Sequence, residues 1–125
     1  MSSSESLPPA LVQAAAEFNA GLYFACHETL EAFWLADVSP ERDLYKAVIQ
    51  VAAGLYHLGN GNVKGCRKLL TRATGYLERF TPQAAGIDVA GLVAKTRTVL
   101  AWLETASPGE ALPPSLVPHL TLAAV

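Results

Sequence analysis

The chain has 125 residues, enough for one domain with a real core, of which 51% are hydrophobic and only 16% charged, and its formal net charge is −2. Phosphate contacts need clustered Lys and Arg, so this balance excludes a nucleic-acid-binding face, and no apolar run approaches the roughly 18 residues of a membrane span. So low a charge share leaves little polar surface to spare, which points to a homo-oligomer, a dimer being the expected form, with apolar surface covered by a second copy.

Residues 1–7 read as a disordered polar leader without the basic and hydrophobic regions of a signal peptide, and the expected address is the cytoplasm. Pro8 and Pro9 can open a first helix, because proline is tolerated in the first turn. That helix runs through Leu11, Val12, Ala15 and Phe18 to Gly21, a helix C-terminal glycine. A second helix covers about Leu22 to Asp37. Ser39-Pro40-Glu41 then supplies a cap, a first-turn proline and an early acid. The third helix, Glu41 to about Leu58, is apolar nearly all round and belongs in the middle of a bundle. Its two apolar faces are Leu44, Val48, Val51 and Leu55, and Tyr45, Ile49, Ala52 and Tyr56. Between them runs a narrow stripe of Lys46, Gln50, Ala53, Gly54 and His57, and Gln50 and His57, seven apart, point the same way.

Gly59-Asn60-Gly61-Asn62 is a turn, and Asn62 can cap the next helix. That fourth helix, Val63 to about Phe80, carries Cys66, Leu69, Leu70, Ala73 and Leu77 inward, and Thr81-Pro82 ends it. Lys64, Arg67, Lys68 and Arg72 fall at helical spacing and read as a solvated face. After a small loop around Gly86, a fifth helix runs from about Asp88 to Ala106 with Leu92, Val99, Leu100 and Leu103 inward and Trp102 beside them. Residues 108–125 hold four prolines and no basic residue. This tail is too apolar for a free linker and is expected to lie extended over its own bundle or a neighbouring subunit.

Gly21, Ala25, Cys26 and Leu30 recur forty residues later as Gly61, Gly65, Cys66 and Leu70. Each set opens the second helix of a helix–turn–helix pair, a tetratricopeptide-like arrangement of small residues at close-packed helices. The two cysteines lack metal-type spacing and read as small core residues in a reducing compartment. The expected fold is therefore all-α: a compact bundle of about five helices over residues 1–107, built from two helix–turn–helix pairs, with an extended C-terminal tail.

The chain is arranged around residues 18–34. At about 100° per residue in a helix, His27, Glu31 and Trp34 fall within roughly 60° of one another, flanked by Tyr23, Phe24 and Leu30. Ionisable groups on a greasy side are costly unless paired, so this stripe marks a polar site.

Two segments together resemble a known family. The first is Phe18-Asn19-x-Gly21-x-Tyr23-Phe24-x-x-His27-Glu28-x-Leu30-Glu31-x-x-Trp34. The second runs Leu44-Tyr45-Lys46-Ala47-x-Ile49-Gln50-Val51-Ala52-Ala53-x-x-Tyr56-His57, then Gly61-Asn62-x-x-Gly65-x-x-x-Leu69-Leu70. Their order and spacing are similar to the family catalogued as domain of unknown function 309, small all-helical proteins of bacteria and archaea. The resemblance covers about residues 17–80 and implies a compact cytosolic bundle. It carries a His-Glu-x-x-Glu segment plus a later Gln and His onto His27, Glu28, Glu31, Gln50 and His57, and it names no activity. Ala32 and Phe33 stand where a second acid and a bulky aliphatic often follow the motif, which makes this site less acidic.

Four roles compete for these residues. A structural polar network would join His27, Glu28, Glu31 and His57 between the second and third helices, with Gln50 lending its amide. A metal site would use His27, Glu31 and His57, two histidines and a carboxylate on a divalent ion, although neither His-Glu-x-x-His nor Glu-x-x-His is present. Metal-free acid–base chemistry of hydrolase type would use a glutamate beside Trp34 and a histidine, but no nucleophile is placed with them. An interaction surface would be anchored by Trp34, Phe33 or the tail. The sequence favours a non-catalytic binding or scaffolding domain, with a metal- or small-molecule-binding protein as the alternative; it secures no cofactor and leaves a divalent metal ion as the one candidate.

Overall fold

The computed structural model describes residues 7–36 and 38–123. Among these residues there are five α-helices: α1 (Pro9–Asn19), α2 (Tyr23–Ala36), α3 (Arg42–Gly59), α4 (Val63–Leu77) and α5 (Val89–Thr105). A 3-10 turn, Glu78–Phe80, extends α4, and two short strands, β1 (Gln83–Ala84) and β2 (Ile87–Asp88), pair antiparallel before α5. The all-α bundle expected from the periodicity is the fold. None of these helices is long and apolar enough to cross a membrane.

Helices α1–α2 and α3–α4 form two hairpins closed by the same turn. In each, a glycine at φ +80° (Gly21, Gly61) follows the helix, a conformation that a side chain would strain. In the first, the Leu22 N–H donates to the Glu17 carbonyl at 2.8 Å and the Gly21 N–H to Phe18 at 3.0 Å. In the second, Asn62 donates to His57 at 2.8 Å and Gly61 to Leu58 at 3.0 Å. This pairing satisfies the last carbonyls of each first helix and fixes where the second begins. The forty-residue sequence echo is thus a structural repeat, with Cys26, Leu30, Cys66 and Leu70 all fully buried. Asn62 caps α4 by accepting from the Gly65 N–H at 2.9 Å, as the sequence implies.

The core runs through all five helices, from Leu11 and Phe18 on α1 to Leu103 on α5. Helix α3 lies between α2 and α4, and it buries Leu44, Val48, Val51 and Leu55 along with Tyr45 and Ala52. Tyr56, expected on a buried face, is 42% exposed. It sits near the C-terminal end of α3, where its ring meets the exposed Phe24 of α2 at an open edge of the bundle. Glu41 occupies the N-cap position of α3 without a side-chain hydrogen bond, one residue before the helix rather than inside it.

The end of the leader and the tail both return to the β-hairpin. Leu7 lies against Gly86, so this last leader residue is placed rather than loose; residues 1–6 and Asp37 lie outside the described residues. The hairpin escaped the sequence reading because two-residue strands have no periodicity to detect. Its turn residues, Ala85 and Gly86, both have positive φ, yet Ala-Gly is not among the usual signals of such a turn. Residues 108–123 run along the bundle with one 3-10 turn at Pro114–Leu116, and Leu120 is buried in the core. The Asp88 N–H donates to Thr121 at 2.9 Å and the Ala123 N–H to Gly86 at 2.6 Å, so the tail pairs with the hairpin through an antiparallel bridge between Leu122 and Ile87. Asn19, at the end of α1, clasps this segment. Its amide donates to the Leu120 carbonyl at 3.0 Å and accepts from the Leu120 N–H at 2.8 Å.

Asn19→Ala leaves both Leu120 backbone groups without these partners and is expected to cost about 1–2 kcal/mol. Hydrogen exchange should then speed up at Leu120 and Ala123 while the α3–α4 amides keep their protection. Unchanged exchange at those two positions would show that the clasp is dispensable.

Candidate functional site

The helix hairpins decide which of the candidate residues meet. Because α2 and α3 are antiparallel neighbours, the start of α2 lies beside the end of α3. This brings His27 and His57 to one cleft of about 170 Å3, shared with Tyr23, Phe24, Ala53 and Tyr56. The cleft is walled by rings. Phe24 stacks on His27 with centroids 6.2 Å apart and meets Tyr56 at 5.5 Å, while Tyr56 and His57 lie 6.2 Å apart. Phe24 is 55% exposed, so the face that periodicity marks as greasy is an open edge of the bundle. Tyr23 forms the deep wall, edge-on to the buried Phe18 at 5.5 Å, and its phenol is pushed above the ordinary value, first by burial and then by the neighbouring Cys26.

The acids stand at the rim. His27 Nδ1 lies 3.9 Å from Glu28 and Nε2 lies 3.9 Å from Glu31, one turn on, and both carboxylates are about half exposed. At that separation the groups are not hydrogen-bonded, and His27 Nδ1 has no hydrogen bond among the described residues. One donor atom each from His27, Glu28 and Glu31 falls within 4.8 Å of the others. His57 stands outside that trio, its Nδ1 3.5 Å from the Asn62 amide nitrogen.

Trp34 and Gln50 go elsewhere. Trp34 is two turns along α2, under the Arg42 guanidinium at 4.1 Å, with its indole N–H buried and unpartnered among the described residues. Gln50 turns toward α4 and lines a different cleft. Phe33 packs edge-on to Tyr45 at 4.9 Å, partly buried against the core.

Four lining residues were not among the sequence candidates, Tyr23, Phe24, Ala53 and Tyr56, and of these Phe24 and Tyr56 form the exposed walls. Phe24 and His27 at i, i+3 were a usable signal, since such pairs meet on a helix surface. Tyr56 had none, because facing α2 depends on how the hairpins pack. Both cysteines are fully buried and neither lines the cleft. Burial pushes the Cys26 thiol up to about 12, with Glu17 adding to it, and pushes Cys66 up to about 11 against the opposing effect of Arg67. A thiol so shifted stays protonated at neutral pH.

A larger cavity, about 690 Å3, lies between the end of α5, the α3–α4 turn and the tail, with Trp102, Leu112 and Val117 in its walls. It touches the histidine cleft only through Tyr23, which borders both.

Over residues 11–69 the chain matches the model of a family described as a domain of unknown function (DUF309). It is also 33% identical over 104 residues to "Uncharacterized protein YpuF" of Bacillus subtilis (strain 168), a stretch that takes in 80% of this chain and 60% of that protein. All of the residues lining the histidine cleft fall within the family match; α5 and the tail fall outside it.

Proposed function

We propose from geometry that the chain, which matches the model of the family described as domain of unknown function (DUF309) over residues 11–69, is a non-catalytic binding and scaffolding domain. Its working edge is the cleft between α2 and α3. One observation carries the reading: two half-exposed aromatic rings, Phe24 and Tyr56, touch across a helix pair around a cleft that also holds two imidazoles. About 150 Å3 suffices for a benzene-sized group, so a cleft of this size accepts one apolar side chain of a partner. Aromatic residues around such a pocket are the usual anchors of protein interfaces. Leu22, 56% exposed, continues the apolar edge. With so few charges on the chain, a second copy is the partner that its composition favours, and the buried, reduced thiols suit a cytoplasmic setting.

Sedimentation equilibrium is expected to give the mass of two chains for the wild type and of one chain for Ala53→Phe, which fills the cleft, at unchanged helix content. A wild-type monomer whose His27 and His57 ring resonances ignore added indole would overturn the reading.

A second reading rests on its own observation, the trio of donor atoms from His27, Glu28 and Glu31 within 4.8 Å. His27 and Glu31 at i, i+4 can close on one divalent ion with small rotamer changes, with Glu28 or water completing the set. Titration of tag-free protein with zinc is expected to release heat and shift the His27 ring signals, and the heat should vanish in His27→Ala. Silence with every divalent ion tried would remove this reading and leave the first intact.

A further inference from the structure

The polar stripe of α3 has a second end. His57, Ala53, Gln50 and Lys46 lie on one side of the helix, and at the Lys46 end α4 supplies Arg72, Gly75 and Tyr76, and the 3-10 turn after it Arg79, around a cleft of about 490 Å3. We propose that this cleft binds a small, soluble, phosphate-bearing anion.

Charge is the first ground. Three of the chain's nine Lys and Arg residues border this one cleft, although the chain as a whole is acidic. Asp43 engages one of them, accepting from Arg79 at 2.7 Å. Lys46 and Arg72 have no carboxylate partner among the described residues, so the cleft keeps an excess of positive charge. Preorganisation is the second ground. Lys46 Nζ and the Arg79 guanidinium carbon stand 5.1 and 5.4 Å from the Tyr76 ring centre, and Lys46 also donates to the Tyr76 hydroxyl at 3.3 Å. Cations held on a ring lose less freedom on meeting an anion than cations in open solvent.

Two further features lack a packing explanation. Gln50 Oε1 is buried without a hydrogen-bond partner among the described residues. Turning that amide over offers N–H donors in its place, and an oxyanion would satisfy them. Gly75 interrupts α4, where alanine would favour the helix, yet nothing lies within 4 Å of the Cβ that alanine would add. The missing side chain therefore relieves no clash, and it leaves the mouth of the cleft open. The space exceeds that of a bare phosphate and falls in the range of metabolite sites, which points to a phosphate carried on an organic body. Sugar phosphates, diphosphates and lipid headgroups share this chemistry. The soluble forms fit a cleft that has no exposed apolar side chain on its rim to enter a bilayer.

The test uses the full chain, labelled with 15N and titrated at low salt with inorganic pyrophosphate. Saturable shifts are expected at the Gly75 and Tyr76 amides and the Gln50 side-chain amide. Arg72→Gln should weaken binding about tenfold or more, as loss of a charge-assisted contact does. Gly75→Leu keeps every charge but fills the cleft, and it should abolish binding without lowering Tm. Wild-type affinity in Gly75→Leu, or shifts spread evenly over Lys64, Arg67 and Lys68, would mean that the anion feels surface charge alone and would overturn the proposal. So would co-sedimentation with phosphatidylserine vesicles by a protein that does not respond to pyrophosphate.

Discussion

Gly54→Val is expected to cost the protein about 3 kcal/mol and to lower its Tm by about 10 °C or more. Helices α3 and α4 make their close approach at this glycine. A Cβ there would stand 3.0 Å from Leu70 Cδ2, 3.3 Å from Leu70 Cγ and 3.4 Å from the Cys66 carbonyl. The two further carbons of valine would have to displace Leu70, which is fully buried, or push the helices apart. Alanine is the informative control. It gains about 1 kcal/mol of helix propensity and crowds only the end of a flexible side chain, so its net effect is small and its sign reports how far Leu70 can yield. Pairing Gly54→Val with Leu70→Ala makes the cause visible, because the double variant should be far less destabilised than the two single losses combined. A Gly54→Val melt within about 2 °C of wild type would mean that the helices are not in contact at this point.

Alkali should unfold the protein through its two thiols. Cys26 is held up to about 12 and Cys66 to about 11, against an ordinary value of 9.0, and burial is the main cause for both. Below pH 9 folded and unfolded chains both keep these protons, and this stabilisation is fully present. Above it the unfolded chain releases protons that the folded chain retains. Stability then falls by about 1.4 kcal/mol per pH unit for each thiol until its folded value is reached. Tyr23, also shifted upward, adds a loss of the same sign at higher pH. Urea midpoints should drop steeply between pH 9 and pH 11, and the slope should flatten in Cys26→Ala. If the two midpoint curves run parallel across that range, something other than the thiol sets the alkaline limit.

Much of this architecture was readable from the residues. Gly21 and Gly61 announced two equivalent turns, Asn62 announced a cap, and the 3.6-residue pattern placed the helices to within a few positions, because each of these signals is local. The site was legible only where it was local too. His27, Glu28 and Glu31 share one helix and meet as their spacing dictates. The partnership of His27 with His57 could be guessed from two stripes, but the position of Tyr56 could not, since it patterns as a core residue and only the packing of the hairpins puts it at the open edge beside Phe24. Gln50 illustrates the same limit. Its stripe is shared with His57, yet which neighbouring helix it faces depends on the register of α3 between α2 and α4. The tail's return to Asn19 joins positions about a hundred residues apart, and nothing in either segment names the other.

That clasp has a bearing on the order of assembly. Each helix hairpin closes through contacts between residues near in sequence and can form while later segments are still being synthesised. The seal between Asn19 and Leu120 cannot, because residue 120 must first clear the ribosome. Until then the Asn19 side-chain amide and the unmatched hairpin edge offer donors and acceptors to any passing strand. The nascent chain is therefore most vulnerable to wrong pairing in the interval before residue 120 emerges.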